Sequence, residues 1–312
     1  MKSNVVIPRL LVTGASGFLG AAVAAAASAA GYDVLGIGRA ADASRTKAIK
    51  IAYDQLDLSD EVATHDLLRR FRPHIIVHAA WSGVSGQARD QDIQYDNVRA
   101  TCRLLDLGAQ YGLEKFIGIG SQAEYGPFEG RIEETHLPAP ITLYGAAKHA
   151  ACTLARQRAI THHIQFAWLR LFAIYGPSDN GNWLIPSLIA AMLDGRCPPM
   201  TEGIQKWDYL YIDDAAQALL ALIRAMSTQS AATGVFNLCS GEAVPVRQIA
   251  QEIAHIAAPN LDLEFGTIAY KPGQIFHMEG DPTRLQAATG WAPSTSLQAG
   301  LAATITSMRA MA

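Results

Sequence analysis

The stretch Leu10-Leu11-Val12-Thr13-Gly14-Ala15-Ser16-Gly17-Phe18-Leu19-Gly20 decides how the rest of the chain is read. Three apolar residues follow one another without a polar break, as in a strand covered on both faces, and the run ends in glycines at 14, 17 and 20. Glycines so spaced allow a tight turn, a close backbone approach to a pyrophosphate and close packing of the next helix on the strand. Residues 17–30 are rich in alanine and read as that helix, whose N-terminal amides and dipole would face an anion at the turn. A glycine-rich turn with no ligand satisfies the same residues, so the surrounding sequence has to decide between the two.

Outward from the turn the chain keeps one rhythm. Residues 34–37, 75–77, 116–119 and 166–169 are further continuous apolar runs, and 59–70, 87–111 and 143–162 carry helical patterns between them. Strand–helix–strand repetition implies right-handed crossovers and an α/β fold, a doubly wound parallel sheet of the Rossmann type. Past Leu171 the rhythm weakens, with Pro177, Pro186, Pro198 and Pro199 as punctuation. Residues 213–226 return to a helical period, 235–238 read as one more strand, and short helices alternate with turns from 243 onward. The expected organisation is a dinucleotide-binding domain over 1–172, which also receives segments near 210–240. A smaller, discontinuous α/β substrate domain would take up most of 173–312.

Composition sets the outer limits. The 312 residues are 50% hydrophobic and 17% charged, which suits about two domains of ~150 residues and not a disordered chain. With 25 basic and 28 acidic residues the net charge is −3, so the basic excess of a general nucleic-acid or anionic-membrane surface is missing. Cys102, Cys152, Cys197 and Cys239 lie far apart, with no C-x-x-C or zinc-ligand spacing. His78, His149, His162 and His163 have no metal-ligand arrangement with acids, so no metal site is expected. No signal-peptide pattern precedes Gly14, and the alanine-rich stretch 21–30 is too short to span a bilayer. Together with reduced thiols, this leads to the expectation of a cytoplasmic chain.

The glycine spacing is G-x-x-G-x-x-G, and further motifs follow it in order: Asp57-Leu58, His78-Ala79-Ala80, Asn97, Ser121 and Tyr144-Gly145-Ala146-Ala147-Lys148. On these residues, and over almost its whole length, the sequence resembles the extended short-chain dehydrogenase/reductase superfamily, the NAD(P)-dependent sugar-nucleotide epimerases, dehydratases and reductases. The resemblance implies cofactor contacts at Gly14, Ser16, Gly17, Phe18, Leu19 and Gly20, and at Asp57 and Leu58 beside the adenine. It further implies contacts at Ala79, Ala80, Asn97, Tyr144 and Lys148. Where the second strand ends, an acid would hydrogen-bond the ribose hydroxyls and repel a 2′-phosphate. The chain has Gly38-Arg39 there, and a guanidinium suits a phosphate. Arg39 thus favours NADP(H) over NAD(H); a solvated surface arginine and a ribose contact from Asp42 are the readings left open.

Tyr144 and Lys148 are i and i+4 on one helix and share a face. An ammonium beside a phenol favours phenolate, and moving a phenol from ~10 to ~7 takes roughly 4 kcal/mol at about 1.36 kcal/mol per unit. Tyr-x-x-x-Lys also occurs by chance on surfaces. Ser121 gives it context, because it ends the strand at 116–120 and precedes Gln122-Ala123-Glu124-Tyr125-Gly126. By the resemblance, Ser121 polarises the reacting carbonyl, Tyr144 passes the proton, and Lys148 tunes Tyr144 and holds the nicotinamide ribose. The family's 4,6-dehydratases need an Asp-Glu pair directly after that serine. Gln122-Ala123 supplies neither acid nor base, which argues against dehydration.

On the substrate side, residues 170–177 and 207–214 resemble family stretches, with departures. Ala173 stands where Asn or Ser is frequent, and Trp207 where an arginine commonly reaches the phosphates. Lys271-Pro272-Gly273 fills the place of an Arg-Pro-Gly clamp, keeping the charge but not the planar fork. Trp81-Ser82-Gly83 and Asn180-Gly181-Asn182-Trp183 are expected to flank the cleft; their rings and amides suit a sugar or a base, and equally suit packing and turns. The candidate substrate contacts are Trp81, Ser82, Gln122, Asn182, Trp207 and Lys271. The resemblance also implies a homodimer through helices 87–111 and 143–162, and a nucleotide-diphospho-sugar as partner. The expected activity is NADP-dependent reduction of a nucleotide-diphospho-4-keto-6-deoxyhexose. The alternatives are an NAD-retaining nucleotide-sugar 4-epimerase and, in another class, a cofactor-sensing protein without catalysis.

Overall fold

Apolar strands that cannot face water on either side dictate the centre of the molecule. In the computed structural model, which describes residues 7–41, 45 and 51–311, strand β1 (Arg9–Thr13) runs parallel between β2 (Asp33–Gly38) and β4 (Ile75–His78). β3 (Ala52–Gln55) continues the sheet beyond β2. On the other side β5 (Lys115–Ser121), β7 (Gln165–Leu171) and β10 (Gly234–Leu238) follow β4 in turn. The resulting order, β10-β7-β5-β4-β1-β2-β3, is parallel throughout and reverses direction between β1 and β4. In such sheets a crevice opens at the carboxyl ends of the strands at the switch point.

Side-chain alternation distributes the helices over the two faces. Leu10 and Val12 share one buried cluster with α1 (Phe18–Ala29) and α6 (Ile212–Met226). Leu11 points the other way, into a cluster with α2 (Glu61–Phe71), α3 (Ile93–Gln110) and α4 (Leu143–Thr161). The fold is therefore the doubly wound Rossmann type expected. A smaller sheet lies alongside, in the order β11 (Ala243–Pro245), β9 (Lys206–Tyr211), β12 (His277–Gly280) and β6 (Gly130–Ile132), with β8 (Ala173–Tyr175) paired to the far half of β9. Helices α5 (Leu184–Leu193), α7 (Val246–Ala257) and α9 (Leu297–Met311) pack together, and α8 (Thr283–Thr289) packs on α6.

Two readings change. The helix expected over 87–111 is broken: a 3₁₀ turn at Gly86–Asp90 precedes α3, which starts at Ile93. The stretch after Leu171 holds more strand than its sequence suggests, because β8 and β11 are three residues each and too short to show a period. Among the described residues no helix is long and apolar enough to cross a membrane.

Candidate active site

The glycine turn closes as its spacing demands. Gly14 has φ +71°, and a Cβ there would lie 2.8 Å from the Ala80 nitrogen and 2.9 Å from the Ala79 carbonyl carbon, so the turn rests on the backbone leaving β4. A Cβ on Gly20 would run into the Gly14 carbonyl, which is how α1 comes to lie tight on β1. Gly17 caps α1 without any side chain bonding the first-turn amides, leaving them directed at the cleft. That cleft measures about 470 Å³. Gly14, Ser16, Gly17, Arg39, Asp57, Leu58, Ala79, Ala80, Trp81, Ser82 and Asn97 line it. A Cβ-free floor and uncapped amides fit a pyrophosphate, and the cleft fits a dinucleotide. Phe18, Leu19 and Gly20 are not in its lining: Leu19 belongs to the core and Gly20 to the helix–strand contact. Asp42 lies outside the described residues.

His78 fixes the end of β4. It is 3% exposed, and burial brings its imidazole down to about 3, with Lys148 adding in the same direction. Its Nδ1 lies 2.8 Å from Thr13 Oγ1 and its Nε2 3.0 Å from Thr101 Oγ1. Thr101 donates to the Asn97 carbonyl, so Nε2 carries the hydrogen and Nδ1 accepts from Thr13. Thr13 in turn accepts the Ala80 amide. One neutral histidine thus ties β1, β4 and α3 together beneath the cleft.

The three residues expected to do chemistry meet at its edge. Ser121 ends β5 and opens a capping box: its hydroxyl accepts the Ala123 amide at 3.2 Å, and its own amide donates to Glu124 Oε1 at 2.9 Å. Tyr144 sits in the first turn of α4, capped by Thr142. A Cβ on Gly145 would strike the Ala123 carbonyl, so only glycine lets the helix approach the Ser121 turn so closely. The Ser121 hydroxyl lies near enough to the Tyr144 phenol to act on its ionisation. Burial pushes that phenol up, while Ser121 and Arg89 pull it down and Glu124 adds to the rise. Lys148 Nζ donates to the Ile119 carbonyl at 2.6 Å and lies 3.7 Å from the centre of the Trp81 ring. Its burial brings the ammonium down to about 7, against the pull of Glu124. Trp81 stands edge-on to Tyr144, their centroids 6.4 Å apart, and joins this group to the cleft.

Three supporting residues escaped the sequence reading. Glu124 is fully buried; Oε1 accepts Trp168 Nε1 and the Ser121 amide, and Oε2 accepts Arg170 Nε at 3.0 Å. Gln94 is also fully buried; it accepts Trp81 Nε1 at 2.8 Å and donates to the carbonyls of Ser82, Gly83 and Ala88. Arg89 lays its guanidinium over the Tyr144 ring, 4.5 Å from the centroid. The glutamate's place in a serine capping box was the one available signal; the other two gave none.

Of the substrate candidates, Trp81 and Ser82 line the cleft and Gln122 directly follows Ser121. Asn97 clamps Ser82, accepting its amide at 3.0 Å and donating to its carbonyl at 2.9 Å. Trp207 instead packs on the cluster of Tyr125, Phe172 and Met278. Asn182 is exposed in a turn where its amide donates to Asn180 Oδ1, and Lys271 is exposed in the turn closed by the Gln274 amide on the Lys271 carbonyl.

A doubly wound sheet, a glycine-floored cleft at its switch point and a Ser–Tyr–Lys group beside that cleft define an oxidoreductase of the extended short-chain dehydrogenase/reductase superfamily. Residues 10–239 match the family model "NAD dependent epimerase/dehydratase family", and the chain belongs to that family. It is 28% identical to the dTDP-glucose 4,6-dehydratase of Streptomyces griseus, over 95% of this chain and 92% of that one. It is likewise 28% identical to the dTDP-L-rhamnose 4-epimerase of Burkholderia thailandensis, over 94% and 93%. The solved UDP-glucose 4-epimerase of Thermus thermophilus, in complex with NAD, superposes with a TM-score of 0.85 at 25% identity, covering 97% of this chain and all of that one.

Proposed function

We propose that the chain reduces the 4-keto group of a nucleotide-diphospho-4-keto-6-deoxyhexose, with Ser121, Tyr144 and Lys148 as its catalytic residues. The observation that carries this is the convergence of buried Ser121, Tyr144 and Lys148 beside Trp81 at the edge of the cleft. A bound nicotinamide dinucleotide would supply the hydride. Ser121 already accepts the Ala123 amide, so its hydrogen is free to turn between Tyr144 and the sugar oxygen. Tyr144 delivers the proton as that oxygen becomes a hydroxyl. Lys148 borders the nicotinamide end of the cleft, while Gly14, Ser16, Gly17, Ala79 and Ala80 hold the pyrophosphate. Glu124 is bound to Arg170 and Trp168 and takes no part in proton transfer, so Gln122-Ala123-Glu124 contains no acid–base pair for dehydration.

Arg39 in the lining beside Asp57 supports NADP(H), the cofactor of a net reduction. The NAD-carrying solved relative supports the second reading, a 4-epimerase that retains NAD. On either reading we place a homodimer contact on α3 and α4, which pack side by side and leave a groove lined by Tyr95, Val98 and Leu154. The test is a panel of keto-sugar and saturated-sugar nucleotides. Stoichiometric NADPH oxidation with a single 4-hydroxy product supports the reductase, whereas exchange of two saturated epimers without net cofactor change replaces it with the epimerase. Tyr144→Phe should lower turnover by ~10²–10⁴ with folding intact.

A further inference from the structure

Lys148 is the cation that spacing assigns to Tyr144, yet in the structure its ammonium is directed elsewhere. It lies 5.9 Å from the centre of the Tyr144 ring and is engaged by the Ile119 carbonyl and the Trp81 face. Arg89 is closer, at 4.5 Å, and approaches from the opposite element, the loop that follows β4. We propose that Arg89 is a positioning residue for Tyr144, a second cation whose guanidinium covers the phenol ring and favours its phenolate form. The inference rests on the reading of Tyr144 as the proton carrier.

The loop is built to keep Arg89 there. Its predecessor Ala88 has its carbonyl bonded by buried Gln94. Its successor Asp90 accepts the amide of Leu143, the first residue of the helix that carries Tyr144. Arg89 is thus held between two anchored neighbours, one of them tied to the very turn it covers. The remaining charged and polar groups facing Tyr144 are Lys148 on its own helix, and Ser121 and Glu124 in the turn after β5. Glu124 opposes phenolate, and Arg170 compensates much of its charge. A cation within about 4–6 Å favours the ionised form of an acid by roughly one to three pKa units.

The phenolate accepts the proton when a sugar hydroxyl is oxidised, and the phenol donates it when a ketone is reduced, so one ionisation governs both directions. In Arg89→Gln the low-pH limb of kcat/KM for oxidation, and the high-pH limb for reduction, should both move up by about one unit or more. Arg89→Lys should restore most of the shift, and Asp90→Ala should give a smaller shift of the same sign. An independent readout needs no turnover: the phenolate absorbance of the chain is titrated and that of Tyr144→Phe subtracted, then the same is done in the Arg89→Gln background. The difference titration should move up with the rate profile. Unmoved limbs and an unmoved difference titration, in a variant that melts like the parent, would overturn the role of Arg89. Full activity in Tyr144→Phe would instead remove Tyr144 as proton carrier, whatever the titration gives.

Discussion

Glu124→Gln separates a structural carboxylate from a catalytic one. The side chain is fully buried and its partner Arg170 is 4% exposed. Glutamine keeps one oxygen for the Ser121 amide and Trp168 Nε1, at 2.9 and 2.8 Å, so the Ser121 turn retains its anchor. The other position becomes an NH₂ facing Arg170 Nε, where an acceptor stood at 3.0 Å. Two donors then meet, and a buried guanidinium loses its counter-charge. Breaking one side of a buried ion pair costs about 3–5 kcal/mol, a large part of the roughly 5–15 kcal/mol that holds a domain folded. Urea unfolding followed by tryptophan fluorescence should show that loss as a lower midpoint at constant slope. Replacing both residues, Glu124→Gln with Arg170→Met, should recover much of it, because no buried charge is then left without a partner. Turnover of the folded Glu124→Gln enzyme should stay within a few-fold of the parent. A stability change under about 1 kcal/mol with turnover down by ~10² or more would refute this account and make Glu124 an acid–base residue.

Two further outcomes follow from the cleft. His78 is neutral in the fold, with its imidazole brought down to about 3 from an ordinary 6.5, so below pH 6.5 the unfolded chain takes the proton first. Stability should be full above pH 6.5 and fall by about 1.4 kcal/mol per unit as the pH drops toward 3; in His78→Asn this part of the slope should vanish, which urea midpoints across the window would show. Arg39→Asp should raise the Michaelis constant for NADPH far more than that for NADH, and equal small effects on both would make Arg39 a plain surface charge.

What the sequence disclosed was whatever its neighbours in the chain determine. The run Leu10-Leu11-Val12 needs cover on both faces wherever it goes, and Gly14, Gly17 and Gly20 act within one turn, so the large sheet and its cleft could be read directly. Ser121 and the Tyr144–Lys148 pair were legible as candidates only through the resemblance of their motifs. Gln94 and Glu124 were not, since a polar residue on a helix or turn reads as solvated until its distant partners are known. Trp81 and Trp168 supply those partners, and only the fold brings them near. Trp207 shows the limit of motif register. It alternates along β9 with Asp208, whose carboxylate is buried among the amides of Ser240, Gly241 and Gly280, and the tryptophan accordingly packs on the apolar cluster at Tyr125.

The charges around Tyr144 also explain why the site should be most comfortable when an anion is present. Arg89 and Lys148 lie against its ring, and the single carboxylate that acts on it, Glu124, is bonded to Arg170. Lys148 therefore carries the imbalance, and its burial without a carboxylate of its own brings it down to about 7. Near neutral pH such an amine is poised between its two forms. Negative charge developing on the Tyr144 oxygen, or brought in by a diphosphate in the adjoining cleft, favours the ammonium and draws its proton back. The desolvation that weakens Lys148 in the free chain is thus offset when an anion arrives. The same burial that costs stability makes the lysine responsive to charge at the phenol, which a solvated lysine, screened by water, would barely sense.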